Sequence, residues 1–249
     1  MKERKEEKAT LELGSTLNTK KRMIRLLLTT FLCALASKST AIFQCREQTR
    51  CGALVGYKSR DPTTLGAIQR LFNVSRAADI LAANGLPEWT IPDNFTVDQK
   101  RVTRIPFECD CTEPESYGKA TNPPVYKVRM GENISDITTT VFSGLVNSLD
   151  IQYGNNISNL DSLFVGQELR IPLPCSCGKV NGVGVVHFGL TLEYGLTLEQ
   201  IGEEYHIDSE TLWSLNPASN PNFLLGTAVD IPLPGSSFFF TVQCLLSRI

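Results

Sequence analysis

Histidine is almost missing from this 249-residue chain, with only His187 and His206 present. Neither lies in a Cys/His cluster and no Cys-x-x-Cys pair occurs, so the donor sets of structural zinc and dithiol redox sites are lacking. The formal net charge is -2 with no basic block in the repeat region described below, which leaves no electrostatic footprint for nucleic acid. No uninterrupted apolar run approaches the roughly 18 residues of a membrane helix. Phosphate loops, activated-nucleophile motifs and kinase signatures are absent too. The expectation is a chain that is not an enzyme and that uses no metal or cofactor.

What is present is a repeat. Ile105-Pro106, Ile171-Pro172 and Ile231-Pro232 end three similar stretches, spaced 66 and then 60 residues apart. Each stretch holds an extended run, then an apolar trio at helical spacing: Leu65, Ile68, Phe72; Ile134, Ile137, Val141; Leu198, Ile201, Tyr205. An Asn closes a second helical run, read here as Asn84, Asn156 and Asn216. A period of this size marks an array of small units. Units of this size bury only about 60% of the surface of the unfolded chain and commonly need staples.

The third stretch shows the local logic most plainly. Val185 to Leu192 alternates as a strand, and Thr197-Leu198-Glu199-Gln200 has the form of a capping box, so a helix starts there. Leu198, Ile201 and Tyr205 share one face, while Glu199, Glu203 and Glu204 lie on the other. That placement reads as a solvated face, not as the carboxylate pair of a glycoside hydrolase. Asp208 can cap a second helix that Pro217 stops. Val229 to Leu233 returns as a strand, giving the order strand, helix, helix, strand with the two strands free to pair antiparallel. The matching segments are 53–58, 64–72, 77–84 and 102–107 in the first stretch, and 125–129, 134–142, 148–155 and 168–173 in the second.

Cysteine is the staple. Of eight cysteines, six run from Cys45 to Cys177, whereas Cys33 lies in an apolar N-terminal stretch and Cys244 stands alone near the C-terminus. Six cysteines allow fifteen pairings, and spacing does not choose among them. Residues 23–41, with the charged start Met23-Ile24-Arg25 and the apolar core Leu26 to Ala36, read as a secretory signal. Residues 1–22 read as a polar, disordered extension. Four Asn-x-Ser/Thr sequons follow, at Asn73, Asn94, Asn133 and Asn156, so a glycoprotein is expected.

The phrases Arg104-Ile-Pro-Phe-Glu-Cys-Asp-Cys111, Arg170-Ile-Pro-Leu-Pro-Cys-Ser-Cys177 and Val185-Val-His-Phe188 carry a specific likeness. From Cys45 to Pro234 the chain resembles the plant LysM proteins of the chitin elicitor-binding, GPI-anchored type. That resemblance implies an α+β fold of three tandem βααβ LysM modules (45–108, 112–174 and 178–234) clamped by disulfides. It implies the pairs Cys45–Cys111, Cys51–Cys177 and Cys109–Cys175. It also implies recognition of chitin oligosaccharides at a groove between the loop before the first helix and the loop after the second. In the second module these are Met130, Gly131, Glu132 and Asn133, then Ile157, Ser158, Asn159 and Leu160.

A glycan on Asn133 would obstruct that groove. Either the sequon is unused, or the ligand is read elsewhere, with Tyr194-Gly195-Leu196 and Asn220 to Phe223 of the third module next in line. The implied partners are a LysM receptor-like kinase as co-receptor and a second copy bridged by ligand. A binder of peptidoglycan or wall polysaccharide with no signalling role is the alternative. The resembled family sits on the outer face of the plasma membrane. In this chain Gly235 stands where the family has a cysteine, and the divergent tail 235–249 lacks a GPI signal. The expectation is therefore a released chain with Cys244 unpaired.

Overall fold

The computed structural model describes residues 43–99, 101–112, 118–159, 163–192, 196–217 and 228–235. The expected extension, signal and tail, with Cys33 and Cys244, lie outside the described residues.

Three extended stretches end at a side-chain oxygen that accepts the backbone N–H three residues on: Thr64 from Ala67, Asn133 from Asp136 and Thr197 from Gln200. Each satisfies an amide with no partner inside the helix and so sets its start. At Asn133 and Thr197 the third residue's side chain reaches back, completing a capping box. Asn147 and Asp208 start the second helices in the same way.

The elements follow in order. Strand β1 (Arg50–Lys58) and the short β2 (Thr63–Thr64) precede helices α1 (Leu65–Leu71) and α2 (Ala77–Ala83). Strands β3 (Thr96–Val97) and β4 (Val102–Asp110) close this first unit. After β5 (Gly118–Ala120), the second unit comprises β6 (Val125–Lys127), α3 (Ile134–Asp136, continuing as a π-turn through Val141), α4 (Ser148–Gly154) and β7 (Glu168–Arg170). Then come β8 (Pro174–Cys175) and β9 (Lys179–Val180), and the third unit: β10 (Val183–Thr191), α5 (Leu198–Tyr205), α6 (Ser209–Leu215) and β11 (Ala228–Pro234). In every unit the first and last long strands pair antiparallel.

The π-turn departs from the continuous helix that the 134–142 pattern predicts, and its cause is local. Thr138 and Thr139 donate their hydroxyls to the Ser135 carbonyl, and Thr140 donates to that of Asp136. These bonds compete for the acceptors of the helical ladder, and the amide of Phe142 bonds Ile137 O instead.

The sheet joins units distant in sequence. β1 of the first unit runs parallel to β10 of the third, with Ala53 opposite His187 and Gly56 opposite Leu190. β5 pairs with β4 and β8, so both inter-unit connections become strands of the same sheet. The strands of the second unit form a separate pair. A Cβ on Gly56 would lie 2.6 Å from Leu190 Cδ1, so the close approach of β1 to the third unit depends on a glycine.

Helix packing couples the first unit to the second. Leu65, Ile68, Ile80 and Leu81 share one core with Tyr126, Ile137, Phe142 and Ile151. Edge-on rings run through it: Tyr57 to Phe72 at 4.9 Å, Phe72 to Phe142 at 5.8 Å and Tyr126 to Phe142 at 5.8 Å. A second core forms around Phe188, Leu198, Ile201, Leu212 and Ile231 of the third unit, with Leu54 and Ala83 of the first unit packed into it.

One device recurs in all three units. Asn84 donates Nδ2 to Ile80 O and Arg104 O and accepts the Arg104 amide. Asn155 does the same with Ile151 and Arg170, and Asn216 with Leu212 and Asp230. Each ties the end of the second helix to the last strand. The second-unit residue is thus Asn155, not the adjacent Asn156 read from the sequence. Asn156 instead takes a left-handed backbone (φ 52) and lies exposed. Asn216 is fully buried, and replacing it by Ala would strand the Asp230 carbonyl and amide at about 1–3 kcal/mol each, while Leu212 O keeps the backbone N–H of residue 216 and loses only its second donor. We expect Asn216→Ala to lower unfolding stability by about 3–5 kcal/mol, read by denaturant titration. Asn216→Asp should not rescue it, because a carboxylate supplies neither donor.

Candidate functional site

Loop conformation in the second unit is set by one glycine and one carboxylate. Glu132 N–H donates to Arg129 O across a turn in which Gly131 has φ +82, a backbone that a side chain would strain. The Glu132 carboxylate is held from inside: Tyr126 Oη donates to Oε1 at 2.7 Å and also lies 2.9 Å from Oε2, which accepts the Arg129 amide at 2.8 Å. Burial, reinforced by this carboxylate, pushes the Tyr126 pKa up to about 12, so the phenol remains a donor at every working pH. Glu132 therefore braces the loop. Met130, at the turn, is left 87% exposed, and Asn133 is the exposed helix cap, its Oδ1 taken by Asp136 N–H at 2.9 Å.

The second loop leaves α4 through Asn155 and Asn156. Ile157 donates its amide to Gln152 O and packs its side chain on the shared core, whereas Ser158 and Asn159 are exposed. Leu160 lies outside the described residues, as do Tyr194, Gly195 and Asn220 to Phe223. Where the loop returns, Gly166 N–H donates to Val128 O at 2.8 Å and Val128 N–H to Gln167 O at 2.9 Å. The base of the second loop is thus tied to the residue before the first loop. Exposed Phe164 and Val165 precede this tie. Nothing in the local sequence pattern marks them except the adjacent Gly166-Gln167 turn.

Met130 faces a further space. An open cleft of about 670 Å³ separates α1 of the first unit from the second, lined by Leu71, Val128, Met130 and Val165 with Arg70, Lys127 and Arg129 at its walls. Two cations have acidic neighbours, Arg70 with Asp93 at 2.8 Å and Lys127 with Glu168 at 3.3 Å, and Arg129 lies over the Tyr126 ring.

Disulfides fix the scaffold behind these loops. They join Cys45 to Cys111, Cys51 to Cys177 and Cys109 to Cys175. Strand register assembles them, since Cys51 lies opposite Cys109 and Gly118 opposite Cys175. A Cβ on Gly118 would sit 2.6 Å from both Cys109 Sγ and Cys175 O. The sulfurs of Cys51, Cys109 and Cys177 lie within 4.8 Å of one another, but each is committed to a disulfide and offers no thiolate to a metal.

Beside this core is a buried polar network. His187 Nδ1 lies 2.9 Å from Asp230 Oδ2, and its Nε2 lies 3.1 Å from the carbonyl of Gly178. Ser176 also donates to Asp230. Both ring nitrogens face acceptors only, which requires a proton on each. Burial opposes that charge, yet the Asp230 carboxylate and the Gly178 carbonyl outweigh it and raise the His187 pKa above its ordinary 6.5.

Of the four sequons, Asn73, Asn94, Asn133 and Asn156 are all exposed. Trp213 is half-buried on the third core and donates Nε1–H to Glu199, whereas Trp89 is 84% exposed. Glu199, Glu203 and Glu204 are exposed along α5. Among the described residues, no helix is long and apolar enough to cross a membrane.

Residues 126–172 match the LysM domain family. LysM domain-containing GPI-anchored protein 2 of Arabidopsis thaliana is 35% identical over 209 residues, 83% of this chain and 59% of that protein. The chitin elicitor-binding protein of Oryza sativa subsp. japonica is 33% identical over 205 residues, 82% of this chain and 54% of that one. The chain thus spans a little over half the length of these relatives. Among solved structures, the ectodomain of a receptor-like kinase matches with a TM-score of 0.63 at 22% identity, covering 76% of this chain and 94% of that one, a likeness of fold. The chain thus carries a LysM domain at 126–172 and has the α+β LysM fold, and most of its length is homologous to the LysM domain-containing GPI-anchored proteins and the chitin elicitor-binding protein.

Proposed function

We propose that the chain is an extracellular binder of N-acetylglucosamine oligomers, with its site between Met130–Asn133 and Ile157–Leu160. The observation that carries this reading is a braced, glycine-centred loop whose neighbour across the groove is tied to it at the base, within the segment that matches the LysM domain. A neutral glycan offers amides, hydroxyls and apolar ring faces, which suit backbone groups at a turn together with small apolar contacts on a rigid scaffold. The name of the rice relative points the same way. The first and third units, 45–108 and 178–234, are read as further LysM modules. Glu132 supports the site from within, and the protein binds its glycan without cleaving it.

On this reading the chain acts in pattern recognition at the outer face of the plasma membrane or in the extracellular space. A LysM receptor-like kinase spans the membrane as its partner, and long oligomers bridge two copies. Open-groove hydrogen bonds contribute about 1 kcal/mol each, so single-site affinity is modest and bridging supplies avidity. A second reading, an anionic wall glycan such as peptidoglycan, draws support from Arg70, Lys127 and Arg129 at the adjoining cleft.

Calorimetric titration of the disulfide-intact chain separates the two. The proposal predicts heat that grows with N-acetylglucosamine chain length, none with cellulose oligomers, and a loss of about tenfold or more in affinity for Gly131→Val, which strains the turn. Binding confined to peptidoglycan fragments would favour the second reading. Glycopeptide mass mapping addresses the sequons, and an occupied Asn133 in binding-competent protein would count against this groove.

A further inference from the structure

We infer that the first unit carries a second saccharide platform, built on the exposed ring of Trp89. The inference rests on the glycan reading above and extends it to a different loop.

Register is the first argument. Asn84 and Asn155 make equivalent bonds to the last strands of their units. The next residue has positive φ in both, Gly85 at 64 and Asn156 at 52. The one after, Leu86 or Ile157, donates its amide to the carbonyl five residues back and rests partly buried on the common core. By sequence count, Trp89 follows Asn84 by five residues as Leu160 follows Asn155, so the first unit has an indole where the second has a leucine.

Rigidity is the second. Thr90 N–H donates to Pro87 O, Asn94 N–H to Ile91 O and Leu65 N–H to Phe95 O. β3 pairs with β2 at the start of α1, and Arg70 holds Asp93 at 2.8 Å. Gly66 lies so near Asp93 that a Cβ there would approach its carboxylate to 2.2 Å. A loop pinned at this many points nevertheless leaves Trp89 84% and Ile91 61% exposed. An indole carried into water on a fixed backbone leaves only its own side-chain rotamers to be ordered when a flat apolar partner binds.

Size selects the partner. A stable protein interface takes about 800 Å² from each side, whereas one tryptophan offers about 150–250 Å². One ring and an adjoining aliphatic match the apolar face of a pyranose, and stacking on an aromatic ring tolerates any sugar of that shape. On a polymeric ligand, a second contact raises avidity through effective concentration.

The test uses the full chain carrying Asn94→Gln, so that a glycan at this sequon cannot cover the ring. The N-acetylglucosamine hexamer is added while tryptophan emission is recorded, and retention on chitin beads is measured separately. We expect a blue shift on adding hexamer, its loss in Trp89→Ala, and retention weakened about five- to tenfold. Trp89→Phe should recover part of the retention, and both variants should melt as the parent does, since the side chain lies outside the core. No emission change, or the same change in Trp89→Ala, overturns the inference. The pair Met130→Ala and Asn159→Ala separates it from the earlier reading. Calorimetric heat lost in that pair with Trp89 silent would sink this inference alone. A Trp89 response with unchanged heat in that pair would sink the second-unit site alone.

Discussion

Reduction of the three disulfides is expected to abolish the cooperative thermal transition of this chain and to lower its far-UV signal. The bonds Cys45–Cys111 and Cys109–Cys175 each span 66 residues, and Cys51–Cys177 spans 126. Loop-closure entropy for loops of that length gives at most about 4–5 kcal/mol each, and measured values are commonly about 2–4. The loops overlap, so the three do not add. Even one such contribution is a large fraction of the whole stability of a small domain, about 5–15 kcal/mol. The cystines also form a buried cluster with Ala53, and reduced thiols would not hold β4, β5 and β8 at the spacing that places Gly118 against Cys109. Circular dichroism and melting with and without reductant read this directly. A reduced chain with an unchanged spectrum and melting temperature would show that the shared sheet suffices without the staples.

Loss of His187 is expected to have the second largest effect, and one that depends on pH. Substitution by Ala leaves the Asp230 carboxylate buried without its cation, a change that typically costs about 3–5 kcal/mol. The groups around the imidazole are Asp230 from β11, Ser176 and the Gly178 carbonyl from the connection, Arg46 from the N-terminal segment and, through the Asp230 backbone, Asn216 from α6. Because the folded pKa is raised above 6.5, protonation stabilises the fold. That stabilisation is complete below the unfolded pKa of about 6.5 and is lost as pH rises through the folded value. The stability gap between the parent and His187→Ala should therefore be widest near about pH 5 and narrow toward about pH 9. A gap constant across that range would mean that folding leaves the His187 pKa unchanged, and a gap that narrows as pH falls below about 6.5 would mean that the ring is held neutral; either result contradicts the charged pair.

What the sequence revealed was local. Thr197 and Asp208 announce helix starts because capping is decided within three residues, and the trio Leu198, Ile201 and Tyr205 needs only helical periodicity. The family likeness supplied the disulfide pairs, which spacing leaves open among fifteen. Two adjacent asparagines hid the clamp of the second unit, since only Asn155 reaches β7 and nothing local distinguishes it from Asn156. The parallel pairing of β1 with β10 joins residues more than a hundred positions apart and has no local signature. In the candidate site, Gly131 was legible as a turn, but the Tyr126–Glu132 brace was not. It bonds a strand to a loop residue six positions on, around a turn whose geometry only the fold supplies.

Backbone hydrogen exchange of the intact, disulfide-bonded chain with and without the N-acetylglucosamine hexamer tests the central claim most directly. The account predicts ligand-induced slowing at Met130–Asn133 and Ile157–Asn159, with the disulfide core unchanged because it is already protected. Slowing confined to the third unit, or none anywhere at saturating hexamer, would contradict it.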